Sequence, residues 1–185
     1  MNKQKKQLIM LVVVLLAVII AFVVVTKLSQ DDKEDEALKY QVTDMTKDSV
    51  TKLSYTNENG TFSFTKVDDS WQYDNDTSLN IKESTLDNMV AKVASLESDN
   101  QITDVSDASI YGLDSPDITI SISDGNKAET INIGDYNLTT STYYVSRDED
   151  TSVIYTTTSA TISSFQTQNI DELVEVESET ETTDE

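Results

Sequence analysis

Oxygen-bearing side chains at alternate positions are the feature of this sequence with the clearest chemical meaning. They occupy residues 74–78, Asp-Asn-Asp-Thr-Ser, in the spacing with which calcium loops present their oxygen ligands. The pattern then departs from a calcium loop, because Leu79 stands where the sharp-turn glycine belongs and Thr85 where the bidentate glutamate belongs. We therefore interpret this stretch as an Asx-rich turn and predict no metal site.

Composition excludes many classes of reactive site. The 185 residues include no His and no Cys, which excludes Ser-His-Asp and Cys-His catalysis, Cys/His zinc sites, iron–sulfur clusters and disulfides. The four isolated glycines form neither a G-x-G-x-x-G motif nor a phosphate loop. Carboxylate pairs are plentiful and a Ser–Lys pair is not excluded, but no motif singles out either. We predict no catalytic and no cofactor-binding residue, and no enzymatic activity.

The charge of the chain is strongly acidic and unevenly distributed. The chain carries 13 Lys/Arg and 34 Asp/Glu, a net charge of −21, which argues against a nucleic-acid partner because phosphate binding needs clustered Lys/Arg. Four lysines and no acid precede residue 31, which leaves a net charge of −25 on residues 31–185. Two acidic stretches are predicted to be solvated and extended: a spacer over residues 27–39 and a disordered tail over residues 175–185.

An unbroken apolar run near the start predicts a membrane anchor. The run begins at Leu8 and ends at Val25, and as a helix it would span about 27 Å, close to the hydrocarbon thickness of a bilayer. No small-x-small cleavage site follows it, which favours a retained anchor over residues 8–26 against a cleaved signal peptide. Three lysines among the first six residues predict that residues 1–7 are cytoplasmic. The protein is therefore expected in the cell membrane as a single-pass protein, with residues 40–174 forming an extracytoplasmic domain.

Alternating apolar residues predict β-strands in that domain. Leu53 and Tyr55, then Phe62 and Phe64, alternate with polar residues on either side of Asn59-Gly60, a strong hairpin signal. Further strands are predicted around residues 71–73, 118–122, 131–133, 143–145 and 153–155. Most connections between these strands are too short for parallel crossovers, so the sheet is expected to be mainly antiparallel.

One long amphipathic helix is predicted between the strands, with Ser84 as its N-cap. Two short helices are predicted over residues 106–111, ended by Gly112, and over residues 159–166. The fold class is therefore predicted to be α+β. The apolar residues of the long helix recur at helical spacing and form one stripe: Leu86, Met89, Val90, Val93 and Leu96.

The order of several short motifs resembles the bacterial domain-of-unknown-function 4340 family over about residues 45–174. The resemblance implies a membrane-anchored extracytoplasmic module, and some relatives resemble auxiliary parts of ABC-type transport systems, including those linked to gliding motility. No catalytic residue is established for such domains, so none is carried over. The motif residues that carry the resemblance are Trp71, Tyr111, Gly112, Leu113, Pro116, Gly134, Tyr143 and Tyr144.

The motif residues are interpreted as structural, with a recognition surface as the alternative. Gly112 is expected to end a helix in a left-handed conformation, and Pro116 to start a strand at Asp117. Gly134 is expected at a turn. Tyr111, Leu113 and Trp71 are expected to pack together beneath the motif.

Three hypotheses for the function remain open from the sequence. The first is a binding or scaffold module held by its anchor near a transport or cell-envelope assembly, with an exposed strand such as 131–133 or 143–145 extending a partner's sheet. The second is an enzyme acting on an envelope polymer, which requires a pocket with converging acids. The third is a passive acidic surface protein.

Overall fold

The computed structural model describes Leu15 and residues 39–175. Ten strands and two α-helices occur in this part of the chain. Four 3-10 helices occupy Lys47–Ser49, Ala108–Tyr111, Ser163–Phe165 and Ile170–Leu173. The strands and α-helices are β1 (Tyr40–Gln41), β2 (Lys52–Asn57), β3 (Gly60–Val67), β4 (Ser70–Tyr73), α1 (Glu83–Val93), β5 (Glu97–Ser98), β6 (Gln101–Ile102), β7 (Ile118–Ser123), β8 (Ala128–Asn137), β9 (Thr142–Arg147), β10 (Asp150–Thr158) and α2 (Ser159–Ile162).

Eight of the strands form one antiparallel sheet in the order β4-β3-β2-β7-β8-β9-β10-β6. Strands β2 to β4 and strands β7 to β10 each run as a meander, and the two meanders meet where β2 pairs with β7. Strands β1 and β5 pair separately. The α+β class and the mainly antiparallel sheet predicted from the sequence are therefore confirmed.

Period-two alternation explains which face of the sheet is buried. Leu53 of β2 lies opposite Phe64 of β3 and Ile122 of β7, and all three are at most 1% exposed. The next residue, Ser54, faces the other side, where its hydroxyl lies 2.8 Å from that of Ser63. One face of the sheet is therefore the core, and the other presents small polar side chains.

The β2–β3 turn lies one residue earlier than predicted. Asn57 pairs with Gly60, so Glu58 and Asn59 are the two turn residues. Gly60 opens β3 with a φ of +132°, and Asn57 Oδ1 accepts a hydrogen bond from Asn59 N at 2.8 Å. The side chain of Asn57 thus stabilises a turn that the Asn-Gly rule places incorrectly.

Helix α1 carries the predicted apolar stripe but is shorter than predicted. Its buried residues are Leu86, Met89, Val90 and Val93, and the helix ends at Val93 rather than Leu96. The helix has 11 residues, about three turns, so the described residues do not contain the long helix expected from the sequence.

A buried threonine from the start of the domain explains this early end. Thr43 Oγ1 donates a hydrogen bond to Val93 O at 2.5 Å and accepts one from Leu96 N at 2.8 Å. Met45 N donates to Ala94 O at 2.8 Å. These bonds satisfy the last carbonyl groups of α1. The chain therefore leaves the helix and continues as β5, which pairs with β1.

A buried carboxylate holds the same N-terminal segment against the sheet. Glu129 of β8 is 1% exposed, and its Oε2 accepts a hydrogen bond from Asp44 N at 2.9 Å. Its Oε1 lies 2.9 Å from Lys127 Nζ, an ion pair without hydrogen-bond alignment. Lys127 Nζ also donates to Asp44 O at 3.3 Å. The side chains of Glu129 and Lys127 therefore bind the backbone N–H and the backbone C=O of Asp44.

The two short helices predicted from the sequence are confirmed. The first is the 3-10 helix Ala108–Tyr111, ended by Gly112 at a φ of +71°. The second is Ser159–Ile162, which continues as the 3-10 helix Ser163–Phe165.

The predicted anchor, residues 8–26, lies outside the described part of the chain except for Leu15. Within the described part, no helix has both the length and the apolar composition that a bilayer crossing requires. The spacer over residues 27–39 and the tail over residues 175–185 also lie outside it, apart from their residues Lys39 and Glu175.

Two carboxylates near the start of α1 bind Trp71, one at its backbone N–H and one at its indole N–H. The helix begins at Glu83 with Lys82 as its N-cap, so the predicted N-cap at Ser84 is wrong. Glu83 Oε1 accepts a hydrogen bond from Trp71 N at 2.8 Å, and Asp87 Oδ1 accepts one from Trp71 Nε1 at 3.0 Å. Glu83 and Asp87 therefore face the edge strand β4. One backbone N–H group that this edge leaves unpaired in the sheet is hydrogen-bonded to a carboxylate.

Asp87 is also the meeting point of two lysines. Lys47 Nζ and Lys66 Nζ lie 3.3 Å and 3.6 Å from its carboxylate, and Lys66 Nζ lies 5.3 Å from the centre of the Trp71 ring. The hydrogen bond from Trp71, followed by the contacts with both lysines, holds the pKa of Asp87 below its usual value.

We predict that Asp87→Asn destabilises the fold most at neutral pH. Because the pKa of Asp87 is lower in the folded than in the unfolded chain, its ionisation stabilises the fold above the unfolded pKa. This contribution is lost as the pH falls through the folded pKa. Urea unfolding of the full chain in detergent micelles, followed by Trp71 fluorescence, should show the difference from wild type shrinking below about pH 4.

Asp76→Asn is the matched control for this experiment. The pKa of Asp76 is also lowered, by hydrogen bonds from Ser78, but Asp76 lies in a surface turn. Its substitution should leave the Trp71 emission spectrum of the folded protein unchanged. A destabilisation by Asp87→Asn that is the same at every pH would contradict the electrostatic role.

Candidate functional site

The eight motif residues lie in three places. Trp71 belongs to the edge strand β4, and Pro116 lies in the chain that leads into β7. The remaining six gather around the last part of β8: Tyr111, Gly112, Leu113, Gly134, Tyr143 and Tyr144.

Two motif glycines allow two backbone segments to touch. A Cβ atom at Gly134 would overlap the carbonyl oxygen of Tyr111, and one at Gly112 would lie 2.6 Å from Asp135 Oδ1. Real Cβ atoms do not approach other heavy atoms this closely, so both positions need glycine. Gly112 has the additional constraint of its φ of +71°, as predicted from the sequence.

Gly134 lies inside a bulge of β8, so the predicted turn at this residue is wrong. The register of β8 against β9 shifts between Ile133 and Tyr136. Gly134 and Asp135 therefore both oppose Tyr144. The glycine serves the close approach of two backbones, which a pattern-based rule cannot distinguish from a turn.

Tyrosine side chains surround this contact. The rings of Tyr111 and Tyr144 pack edge to face with their centres 4.8 Å apart, and those of Tyr136 and Tyr143 lie 4.9 Å apart. Tyr144 OH accepts a hydrogen bond from Asn137 Nδ2 at 2.6 Å. The aromatic motif residues thus fix the loop before β7 to the end of the β8–β9 hairpin.

The motif residues Trp71 and Leu113 lie in separate clusters, which corrects the expectation that they pack together. Trp71 is part of the main core, whereas Leu113 and Ile154 are buried outside it. Tyr155 pairs with Val145 on the core face, so its neighbour Ile154 faces the other side of the sheet. The loop carrying Leu113 therefore covers part of the outer face, where Leu113 is buried apart from the main core.

A polar groove of about 770 Å³ opens where this loop enters β7. It is lined by the end of β2 with its turn (56–59), by the chain around the start of β7 (115–119), and by Gln166 and Gln168. Pro116 forms part of its wall, and β7 begins beyond it at Ile118, one residue later than predicted.

Buried and partly buried hydrogen bonds hold the walls of the groove together. Asn57 Nδ2 donates to Phe165 O and to Thr167 O, both at 3.0 Å, and Tyr55 OH donates to Thr167 Oγ1 at 2.9 Å. Burial raises the pKa of Tyr55 to about 12, so this hydroxyl remains a donor at neutral pH. The groove is therefore largely formed without a ligand.

Four polar side chains that line the groove are free to bind a ligand. Within residues 39–175, the side chains of Glu58, Asp117, Gln166 and Gln168 make no hydrogen bond. Two carboxylates and two amides favour a ligand rich in N–H or O–H donors. Pro116 is predicted from its motif but neither acid is predicted from the sequence, because the fold brings together segments that are far apart in the chain.

The calcium-like stretch forms the predicted Asx turn. Asp76 Oδ1 accepts hydrogen bonds from Ser78 N at 3.0 Å and from Ser78 Oγ at 2.6 Å. Among the described residues, no three His, Cys, Asp or Glu side chains are grouped so that they could hold a metal ion.

One Ser–Lys pair is present on the helical side. Lys92 Nζ donates to Ser164 Oγ at 2.6 Å and to Ala160 O at 2.7 Å. An ammonium group that donates to two oxygens fastens α1 to the chain after β10, whereas a catalytic lysine must act as a neutral base. We therefore assign this pair to the packing of the helices.

We predict that Gly134→Ala destabilises the protein by at least about 2 kcal/mol, within the range of overpacked interiors. The added methyl group must push the Tyr111 carbonyl away from β8. Gly125→Asn is the control, because nothing lies within 4 Å of a Cβ at Gly125, so that only the backbone strain of its φ of +90° destabilises this variant, and asparagine is among the residues that keep such strain small. Urea unfolding of the full chain measures both variants, and equal midpoints would contradict the backbone contact.

One family matches the greater part of this domain. The sequence model of the family described as "Domain of unknown function (DUF4340)" matches residues 71–176, more than half of the chain. The match begins at Trp71 and includes all eight motif residues, while β1, β2 and β3 precede it. No curated protein and no solved structure matches the chain. The chain therefore belongs to the DUF4340 family.

Proposed function

We propose that this protein is a single-pass, membrane-anchored extracytoplasmic binding module, accessory to an ABC-type transport or cell-envelope assembly. Residues 8–26 form its anchor, and the polar groove binds its partner. The apolar run from Leu8 to Val25, with lysines before it and acids after it, supports the anchor and its orientation.

The free side chains of the groove carry the proposal that the domain binds a partner. A fold that needed Glu58 and Asp117 for stability would pair them, as it pairs Glu83 and Asp87 with Trp71. Their carboxylates instead line a cleft whose walls are fixed by buried and partly buried hydrogen bonds. A basic or hydroxyl-rich segment of an envelope partner matches this lining.

An enzyme acting on an envelope polymer is the second candidate. Two carboxylates in one groove are the minimum that glycoside hydrolysis requires, and Glu58 and Asp117 meet that condition. The two candidates differ in a simple way, since a binding module retains its ligand and an enzyme releases a shortened polymer.

The absence of cysteine from the chain allows a clean test of the membrane topology. We predict that Asn126→Cys, in an exposed turn of the domain, reacts with a membrane-impermeant maleimide on intact cells. Gln4→Cys should react only after the cells are broken. Equal labelling of both variants in intact and broken cells would contradict the proposed orientation.

For the groove, we predict that a photo-reactive amino acid at Gln168 crosslinks the full-length protein to a membrane or envelope subunit in living cells. Glu58→Lys and Asp117→Lys in the same chain should each remove most of the crosslink, because they reverse the charge offered to the partner. A photo-reactive residue at Asn126, on a different turn, is the control. An unchanged crosslink in both lysine variants would contradict the groove as the binding site. The absence of any crosslink is the result that a passive acidic surface protein requires.

A further inference from the structure

The turns of the sheet differ sharply in charge. At one end, the β7–β8 turn carries Asp124 and Lys127, and the β9–β10 turn carries charged residues at every position from 147 to 150. At the other end, which we call the tip end, Glu58 and Asp117 line the polar groove, but the β8–β9 turn contains no charged residue. Residues 136–146 and 151–170 are likewise uncharged, although residues 39–175 contain eight Lys/Arg and 24 Asp/Glu.

The turn at the tip end exposes apolar and aromatic side chains. Leu138 is 85% exposed, more than any other large hydrophobic residue among those described, and Tyr136 beside it is 40% exposed. Tyr136 packs against Tyr143 across the hairpin, and the nearest charge along the chain is Asp135. An exposed leucine flanked by tyrosines is typical of segments that enter the interface of a bilayer.

Three of the four backbone N–H groups of this turn (138–141) are satisfied within the turn itself. Asn137 Oδ1 accepts hydrogen bonds from Thr139 N at 2.9 Å and Thr140 N at 3.3 Å, and Asn137 O accepts one from Ser141 N at 2.8 Å. The hydroxyls of Thr140 and Thr142 lie 2.7 Å apart. Transfer of this backbone from water to a less polar medium therefore leaves these three N–H groups paired.

The chain enters the described domain close to the tip end. Tyr40 pairs with Ser98, whose Oγ accepts a hydrogen bond from Thr156 N at 3.0 Å. Thr156 lies opposite Tyr144, two residues from the start of β9. A spacer over residues 27–39 spans at most about 45 Å when extended, which allows the tip end to reach the bilayer.

From these observations we infer that the β8–β9 turn inserts into the surface of the bilayer to which the protein is anchored, with Leu138 entering the interface. The inference rests on the proposed anchor. An acidic domain is repelled by anionic lipid. The uncharged β8–β9 turn, which β8 carries four residues beyond the start of β7, is the part of the tip end that approaches such a surface at the lowest cost. Insertion at this point orients the domain with the polar groove, at the start of β7, on the side near the bilayer.

The test places a fluorescent reporter at each end of the sheet in the full-length protein. Leu138→Trp and Asn126→Trp are reconstituted in phosphatidylglycerol/phosphatidylethanolamine vesicles with and without brominated phospholipid. Trp71, which is 3% exposed, contributes the same background to both variants. We expect the emission of Leu138→Trp to shift to shorter wavelength and to be quenched by the brominated lipid, whereas Asn126→Trp shows neither effect. Adding Thr140→Asp to Leu138→Trp should abolish the quenching.

Flotation of the vesicles separates the two ways in which the test can fail. Protein that floats with the vesicles but shows no more quenching at position 138 than at position 126 overturns bilayer insertion and leaves the anchor intact. Protein that does not float overturns the anchor and the inference together. Because Leu138 is largely exposed, loss of folding is not expected, and an unchanged urea midpoint of Leu138→Trp verifies this.

Discussion

The contact between Gly112 and Gly134 is the constraint on which the arrangement of the motif depends. Backbone meets backbone here because neither residue has a side chain, and the bulge of β8 provides the space. The loop before β7 is thereby fixed on the outer face of the sheet, with Leu113 buried beneath it. The same loop continues into the central strand β7, so its position also fixes the wall of the polar groove.

The two faces of the sheet and its two ends have different roles. Its inner face, closed by α1, supplies the main core, while the outer face is polar except where the loop carrying Leu113 covers it. Neither face leaves a large apolar surface for a partner. Recognition is therefore expected at the ends of the strands, where turns such as 58–59 and 138–141 present side chains that the core does not require.

The sequence predicts this fold as far as local pattern controls it. Alternation placed Leu53, Phe64 and Ile122 on one buried face, since a strand has only two faces to choose from. Pattern failed where a distant residue decides the outcome. Helix α1 ends at Val93 because Thr43, which lies fifty residues earlier in the chain, donates a hydrogen bond to the Val93 carbonyl group. The role of Gly134 could be predicted only by knowing where the Tyr111 carbonyl lies. The groove is formed by segments that are far apart in the chain, and no periodicity in the sequence indicates that they are close in space.

The position of the groove connects it with the β8–β9 turn, for which we propose insertion into the bilayer. Glu58 and Asp117 lie at the same end of the sheet as the uncharged β8–β9 turn, because β2 ends, β7 begins and β8 ends on that side. If that end faces the bilayer, the free carboxylates of the groove also face the membrane surface. A soluble partner would have to enter the space between the domain and the bilayer, whereas an extracytoplasmic loop of an integral membrane protein is already there. The geometry therefore favours a basic loop of a neighbouring membrane protein as the occupant of the groove.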